Sequence, residues 1–308
     1  MSLRIPTGTP EGESLSVVDS FGASTNAPGP VTAAPVSRRS LRATTKPPLV
    51  IACWGHQGSG KSTIALNLVA QLASNANVLL IDADTHAPSQ AESLAITEHP
   101  AGLAPMLRFA RQGRLTAEHF DKQSMRLKSS TTFTLIPGIN PIRWPEVTPQ
   151  AFALLLEHVR AEFEFVVIDL ASPIEAGLYQ TESPLERNAF TRWVISTADQ
   201  LISSFNADPV SFNRHLALEA ELQELRKNLP TTVVANRMRR SALGATAKRD
   251  LERTIRALTG RKISAFLPED SKAVDSSLRQ GVPLNGARAG SPLRKAINQL
   301  AQSKNLAG

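Results

Sequence analysis

The sequence predicts an α/β protein with a mostly parallel, doubly wound sheet that carries helices on both faces. Several short apolar runs follow one another along the chain without polar alternation, which is typical of strands buried on both sides. Stretches with helical spacing of apolar residues separate these runs and favour crossover connections between parallel strands. Hydrophobic residues make up 42% of the 308 residues, which is enough for one large core.

The predicted strands and helices alternate from residue 48 onward. The strands are Leu49–Trp54, Val78–Ile81, Thr132–Ile136, Phe165–Ile168, Gln200–Ser203, Thr231–Ala235 and Ala265–Leu267. The clearest helices are Thr63–Ala73, Pro149–Ala161, Arg214–Leu229 and Ala247–Leu258, and Leu293–Leu306 predicts a last helix that docks on the domain. We therefore expect residues 48–308 to form one domain rather than two.

Residues 1–47 differ in composition from the rest of the chain. Pro, Gly, Ser and Thr account for 23 of these 47 residues, and Phe21 is their single aromatic residue. Such a segment buries too little apolar surface to offset the entropy of ordering, so we expect a disordered tail. The tail ends in a small basic cluster that either contacts an anionic surface or only aids solubility: Arg38, Arg39, Arg42 and Lys46.

Composition also argues against several classes of protein. No run approaches the ~18 apolar residues of a transmembrane helix, and the N-terminus lacks the pattern of a secretory signal. Cys53 is the single cysteine, so no internal disulfide can form, and the six histidines show no metal-ligand spacing. We expect a cytoplasmic protein.

The formal net charge of +7 is concentrated in one part of the chain. Residues 214–262 contain twelve Lys or Arg and five Asp or Glu. A basic stretch of this kind attracts DNA non-specifically, or another anionic surface, because it neutralises phosphate charge. The alternative is a solvated helical face without a partner.

A glycine-rich turn between the first strand and the first helix fits the phosphate-loop pattern G-x-x-x-x-G-K-[ST]. It consists of Gly55, His56, Gln57, Gly58, Ser59, Gly60, Lys61 and Ser62, and Thr63 continues into the helix. The glycines let backbone N–H groups turn toward phosphate oxygens, and the helix directs its positive end at them. Lys61 supplies a charge for the β- and γ-phosphates, and Ser62 supplies a hydroxyl for Mg²⁺. The turn therefore predicts a nucleoside triphosphate site.

Carboxylates at two strand ends complete this predicted site. Asp82 and Asp84 follow the second strand, and Asp169 follows the fourth. Alternate residues of an extended chain face the same side, and the carboxyl ends of parallel strands meet at one edge of the sheet. These side chains can hold a magnesium-bound water and orient an attacking water. The alternative is that the acids simply cap the segments that follow.

These three elements, in this order, resemble the ParA/MinD family of dimerising P-loop ATPases. "NVLLIDADTHAPSQA" is similar to the family's Asp-x-Asp switch, and "FEFVVIDLASPIE" is similar to its Walker B strand. "VVANRMRR" resembles the strand whose Asn contacts adenine, and "AFLPEDSKAVDSSLRQGVPL" resembles the segment over the base. "IPGINPIRWPEVTP" and "SPLERNAFTRW" resemble the CpaE/TadZ-like branch, which is associated with pilus assembly and polar placement.

The resemblance implies a role for each of these residues. Lys61 and Asp84 would be catalytic, with Asp84 orienting water. Ser62, Asp82 and Asp169 would serve the magnesium ion. The base would lie against Asn236, Arg237, Pro268 and Asp270. Two of these assignments have alternatives, since Asn236 also suits a turn and Arg237 also suits a basic face with Arg239 and Arg240.

The phosphate loop departs from the family pattern at two positions. The family has a lysine where this chain has His56, and a glycine where it has Gln57. The family lysine reaches the partner's nucleotide, whereas a histidine is shorter and mostly uncharged at neutral pH. The departure predicts slow or partner-dependent hydrolysis, unless Arg143, Arg187 or another cation substitutes.

The function that the resemblance implies is an ATP-dependent switch that positions cellular cargo. ATP and Mg²⁺ would be its cofactors, ATP would close a homodimer, and a protein partner would stimulate or localise it. The cargo would be a pilus-assembly or polar site, the septum site, or a chromosome or plasmid. Membrane contact would be peripheral at most. The alternatives are a catalytically degenerate nucleotide-binding scaffold and a P-loop kinase.

Overall fold

The computed structural model describes residues 32–34, 47–175, 186–227, 230–239, 241, 244, 246–303 and 306. Within them, nine strands form one sheet. The strands are β1 (Thr32–Ala34), β2 (Leu49–Gly55), β3 (Val78–Ala83), β4 (Met125–Lys128), β5 (Thr132–Ile136), β6 (Phe165–Leu170), β7 (Gln200–Asn206), β8 (Thr231–Met238) and β9 (Ile263–Pro268).

Eleven α-helices and a 3₁₀ helix connect or flank these strands in the described part of the chain. The helices are α1 (Lys61–Leu72), α2 (Gln90–Ser93), α3 (Leu103–Arg111), α4 (Ala117–Gln123), α5 (Pro149–Val159), α6 (Ala189–Thr197), α7 (Pro209–Leu225), α8 (Ala247–Thr259), α9 (Ser271–Gln280), α10 (Leu284–Ala287) and α11 (Pro292–Ala301). The 3₁₀ helix is Pro141–Glu146. None of these helices is both long and apolar enough to cross a membrane.

The sheet has the order β1-β4-β5-β3-β6-β2-β7-β8-β9. Strands β5, β3, β6, β2, β7, β8 and β9 pair in parallel, whereas β1 and β4 pair antiparallel at one edge. The strand that precedes the phosphate loop, β2, therefore lies between β6 and β7. The register places Asp82 beside Asp169, Gly55 beside Ser204, and Asn206 beside Asn236.

The predicted α/β class with a mostly parallel sheet is confirmed, and all seven predicted strands are present. Strand β4 was not predicted, because it is short and only two of its four residues are buried, Met125 and Leu127. Strand β1 lies in the segment that was expected to be disordered. The rest of that segment lies outside the described residues, except for Pro47.

Three helices begin with the same two-residue signal, an oxygen-bearing cap followed by proline. The side chains of Thr148, Asp208 and Ser291 each accept a hydrogen bond from the backbone N–H three residues later, and Pro occupies the first helical position in each case. Proline suits this position because its missing N–H would have no partner there. This signal explains why α7 begins at Pro209 rather than at the predicted Arg214.

The core lies on both faces of the sheet. Ala52 and Trp54 of β2 face one large apolar cluster, and Ile51 and Cys53 face the other. The Trp54 indole N–H donates to the carbonyl of Ser172 at 2.9 Å, which joins β2 to the segment after β6.

The final helix completes the second cluster. In α11, Leu293, Ile297 and Leu300 are buried, and the helix packs against α1 and β9. The prediction that the last helix docks on the domain is therefore confirmed.

Candidate nucleotide-binding site

Gly55 and Gly60 of the glycine-rich loop lie where a side chain would collide with the neighbouring strands. Gly60 has a φ of +87° and lies directly before α1, and a Cβ there would come within 2.3 Å of the Asn236 side-chain nitrogen. A Cβ on Gly55 would lie 2.3 Å from the carbonyl oxygen of Ser204 on β7. The loop is thus packed closely against the ends of β7 and β8, which only glycine permits.

Two asparagines at the ends of β7 and β8 hold the loop from one side. Asn206 donates to the carbonyl of Gly58 at 3.0 Å, and Asn236 donates to the carbonyl of Ser59 at 2.9 Å. A trans peptide places its C=O and N–H on opposite sides, so the bond to Ser59 turns the N–H of Gly60 away from Asn236. Sequence reasoning missed Asn206, although it ends a buried strand as Asn236 nearly does.

Lys61 and Asp84 form a buried ion pair. The Lys61 ammonium lies 2.9 Å from the Asp84 carboxylate, and the two side chains are 11% and 5% exposed. Asp84 also accepts from the backbone N–H groups of His86 and Ala87, each at 2.9 Å. Burial alone would raise the pKa of Asp84, but Lys61 and these N–H groups hold it below its usual range. The strand-end acid thus contacts the phosphate-loop lysine.

Asp82 supports the segment that follows β3. Its carboxylate accepts from the backbone N–H groups of Asp84 at 3.3 Å, Ser89 at 2.8 Å and Gln90 at 2.9 Å. Burial, together with the neighbouring charge of Asp169, raises the pKa of Asp82 to about 8. Burial likewise raises the pKa of Asp169. With its pKa at about 8, Asp82 retains a proton at pH 7, and the capping alternative describes its contacts.

Gln90, which sequence reasoning did not single out, joins the phosphate loop to Asp169. Its side-chain N–H₂ group donates to Asp169 Oδ2 at 2.6 Å and to the backbone carbonyl of Ser62 at 3.1 Å. Gln90 Oε1 and Asp169 Oδ1 are buried and have no hydrogen-bond partner. Its position at the start of α2 is the one feature that could have drawn attention to Gln90 in the sequence. That position does not by itself indicate a role.

The residues in this region fit a magnesium ion bound together with phosphates. Ser62 lies next to Asp169, and the two buried partnerless oxygens belong to the Gln90 and Asp169 side chains, which are bonded to each other. No group of three or more His, Cys, Asp or Glu side chains in the described residues is arranged to hold a metal by itself. A small set of oxygen ligands suits Mg²⁺, which usually keeps several waters and takes the rest of its ligands from substrate phosphates.

A cavity of about 270 Å³ opens beside Gly60 and Thr63. The four residues expected near the base all line it, namely Asn236, Arg237, Pro268 and Asp270. Asp270 also has a structural role, because it caps α9 through Ala273 N–H at 3.2 Å and accepts from the Ser291 hydroxyl at 2.7 Å. The structure thus brings the late segment and the phosphate loop to one cavity.

His56 faces the interior. Its side chain lies with Nδ1 2.8 Å from the carbonyl of Gln57, while Nε2 is buried without a partner. The residue is 7% exposed, and burial lowers its pKa, so the ring is neutral at pH 7. A side chain that reaches a second subunit has to extend outward from the loop. His56 instead points into the protein.

Behind His56, helix α7 carries further buried polar groups. His215 and Glu219 are 2% and 3% exposed, and His215 Nε2 lies 3.7 Å from Glu219 Oε2, beyond hydrogen-bond distance. Glu219 Oε1 accepts from Arg261 Nε and from Gln223, the latter at 3.1 Å. Burial lowers the pKa of His215 to about 4.

The two arginines considered as substitutes for the missing lysine have different surroundings. Arg143 pairs with Glu146 through two hydrogen bonds of 2.7 and 3.1 Å. Arg187 donates to the backbone carbonyl of Thr85 at 2.6 Å, and its Nε is buried without a partner. Arg187 is therefore the better placed of the two, because Thr85 directly follows Asp84.

The basic stretch 214–262 is not one continuous surface. Arg226 is buried and donates to the backbone carbonyls of Ile195, Ala198, Asp199 and Pro230. Exposed cations do gather along α8, where a cleft of about 550 Å³ is lined by Arg249, Glu252, Arg253, Arg256, Ala257, Lys262 and Ile263. We call this the α8 cleft. It brings several exposed cations of the stretch together on one surface.

A glycine-rich loop before a helix, with a lysine held among strand-end acids on a parallel sheet, defines a P-loop nucleotide-binding protein. Residues 50–284 match the family model of the CobQ/CobB/MinD/ParA nucleotide-binding domain. The chain belongs to this family, and the resemblance to ParA/MinD P-loop ATPases is confirmed.

Individual relatives agree with this assignment. The chain is 25% identical over 238 residues to the septum site-determining protein MinD of Synechocystis, covering 77% of this chain and 81% of that protein. The fold is similar to a ParA family ATPase from Chlorobium tepidum, with a TM-score of 0.65, 21% identity, and coverage of 82% of this chain and 98% of that chain. It is also similar to Pyrococcus horikoshii MinD complexed with Mg-ADP, with a TM-score of 0.62, 17% identity, and coverage of 82% and 94%.

Proposed function

We propose that this protein is an ATP-dependent switch of the ParA/MinD type that positions cellular cargo. The observation that carries the proposal is the ion pair between the phosphate-loop Lys61 and the strand-end Asp84, at 2.9 Å. Magnesium bound with nucleotide in the Pyrococcus horikoshii relative supports ATP and Mg²⁺ as the ligands. The particular cargo, whether a pilus-assembly or polar site, the septum site or a replicon, is part of the proposal.

In this proposal each residue acts through the contacts it makes. Lys61 binds the β- and γ-phosphates, and the N–H groups of the loop bind the phosphate oxygens. Ser62 and Asp169 hold Mg²⁺, which when bound neutralises charge on the phosphates. Asp82 keeps the segment after β3 in place through its three N–H contacts. The base occupies the 270 Å³ cavity beside Gly60.

Phosphate binding has to compete with Asp84 for the Lys61 ammonium. Because Asp84 has two backbone N–H donors besides Lys61, its carboxylate remains oriented when the ammonium turns to the phosphates. The ionised carboxylate can then accept a hydrogen bond from the attacking water. We expect slow hydrolysis, because the neutral, buried His56 brings no charge to the transferred phosphate. Arg187 donates to the carbonyl of Thr85, the residue after Asp84. It is the cation that a partner would have to bring to the transferred phosphate.

The switch acts through assembly. We expect ATP to close a homodimer that docks on a protein partner, and hydrolysis to release it. The α8 cleft supports contact of the dimer with the phosphates of DNA. Such binding falls steeply with salt and has little sequence preference, so salt-insensitive binding would contradict the DNA contact.

The test is the molar mass of the protein with ADP and with ATP, measured by light scattering in Mg²⁺. The wild type and an Asp84→Ala variant, which should retain the triphosphate, are compared with Asp250→Ala on α8 as a control. We expect monomers with ADP and dimers with ATP, with the dimer longest-lived in Asp84→Ala. Monomers throughout would overturn the switch, and monomers that bind ATP without hydrolysing it would favour a scaffold.

A further inference from the structure

The side chain of Gln90 occupies the point where the phosphate loop, β6 and the segment after β3 meet. It is 1% exposed, and its amide nitrogen reaches both Asp169 and the backbone carbonyl of Ser62. Its backbone N–H is held by Asp82. Gln90 is also the first residue of α2, so the side chain and the start of that helix move together.

We propose that Gln90 is a positioning residue of the magnesium site, which orients Asp169 and transmits its position to Asp84. This inference rests on the proposed function. The proposed function states that the protein binds nucleotide. The inference states that Gln90 makes this binding depend on the metal.

The hydrogen bonds determine the orientation of Asp169. Because the Gln90 amide occupies Oδ2 at 2.6 Å, Oδ1 is left as a buried oxygen without a partner. The Gln90 amide oxygen is likewise buried without a partner. Buried polar atoms normally have a hydrogen-bond partner, and partnerless acceptors on two directly bonded side chains suit a cation or its water ligands.

The same contacts form a path to the residue expected to orient water. Asp169 bonds to the Gln90 side chain, the Gln90 N–H bonds to Asp82, and Asp82 accepts the N–H of Asp84. Asp84 in turn pairs with Lys61. A shift of Asp169 toward a metal would therefore also shift the segment from residue 84 to residue 90. Replacing a residue that hydrogen-bonds to a metal ligand typically changes metal affinity ~10–100-fold.

A purely structural amide would have a different signature. If Gln90 only filled space, replacing it would lower stability and would weaken nucleotide binding equally with and without metal. The ratio of the two dissociation constants, measured in EDTA and in Mg²⁺, separates these cases. The positioning role changes the ratio, whereas a structural role leaves it unchanged.

The experiment titrates a fluorescent ATP analogue into the full chain in EDTA and in Mg²⁺. Gln90→Met keeps the length of the side chain and removes the amide, and Gln112→Met at an exposed position is the matched control. We expect the ratio to fall ~10-fold in Gln90→Met and to stay at the wild-type value in Gln112→Met. Hydrogen exchange of residues 84–93 should become faster in Gln90→Met only.

A second variant keeps the inference testable if Gln90→Met folds poorly. Gln90→Glu removes the donor to Asp169 and adds a negative charge, so binding should weaken in EDTA and recover in Mg²⁺, which raises the ratio. Equal ratios in the wild type and in both Gln90 variants would overturn the role of Gln90 alone. Absence of nucleotide binding in the wild type would instead overturn the proposed function.

Discussion

The two sides of the phosphate loop are both buried and both rich in ionisable groups, yet their polar atoms are satisfied very differently. On the acidic side, formed by Asp82, Asp84 and Asp169, the Asp82 and Asp84 carboxylates accept five backbone N–H bonds and Lys61 neutralises Asp84, so that Asp169 Oδ1 alone among these carboxylate oxygens lacks a partner. On the histidine side, formed by His56, His215 and Glu219, each residue retains a buried nitrogen or oxygen without a partner.

The comparison also shows that burial shifts the pKa of an acid and the pKa of a base in opposite directions. On the acidic side, burial and a neighbouring carboxylate raise the pKa of Asp82 to about 8, so the folded state holds a proton that the unfolded chain releases. On the histidine side, burial lowers the pKa of His215 to about 4, so the folded state excludes a proton that the unfolded chain takes up. Acid should therefore stabilise one side and destabilise the other.

The largest expected effect is the pH dependence of the acidic side. Between pH ~4 and pH ~8 the free energy of unfolding should fall as pH rises, by up to about 1.4 kcal/mol per pH unit from Asp82. Asp82→Asn should flatten this slope, because the variant has no proton to release at that position. Urea unfolding in EDTA at several pH values measures it, with the exposed Asp275→Asn as a control. An unchanged slope in Asp82→Asn would contradict the comparison.

The next effect is the loss of the ion pair on the acidic side. Lys61→Met should lower the free energy of unfolding by about 3–5 kcal/mol at pH 7, because Asp84 is left buried without its counter-charge. Lys122→Met removes a lysine that pairs with Glu118 at the surface, where the side chains are 65% and 75% exposed. That variant should lose far less stability, and similar losses in the two variants would show that burial is not the cause.

The smallest expected effect is on the histidine side. From pH ~6.5 down to pH ~4 the unfolded chain protonates His215 while the folded protein does not, so stability should fall by up to about 3 kcal/mol. Glu219, Arg261 and His56 are the ionisable groups that face this ring. His215→Gln should reduce the fall in acid unfolding experiments. The exposed His99→Gln serves as control, and equal acid profiles of the two variants would count against the prediction.

Much of the fold and of the acidic side follows from the sequence. Buried parallel strands produce uninterrupted apolar runs, and acids at strand ends are visible because polar residues directly follow those runs. Since parallel strands end at one edge, the sequence alone predicts Asp84 and Asp169 near Lys61. Strand β4 could not be predicted, because Arg126 and Lys128 interrupt a run of only four residues.

The histidine side and Gln90 were not predictable by the same reasoning. His215 and Glu219 lie on a helix inside a basic stretch, where charged residues normally face solvent, and only the packing of α7 shows that both are buried. Gln90 is an uncharged residue in a four-residue helix, and its importance depends on contacts with residues 28 and 79 positions away. Long-range hydrogen bonds leave no local pattern in a sequence.

The position of Trp54 has a practical consequence. Its indole is 1% exposed, immediately precedes the phosphate loop, and is bonded to the carbonyl of Ser172 just beyond the Asp169 strand. The emission of an indole depends on the polarity and hydrogen bonding around it, so the chain contains its own optical reporter at the junction of loop and sheet. Replacing Trp144 and Trp193 by phenylalanine would leave that single emitter, whose spectrum could follow loop rearrangements in real time without an attached dye.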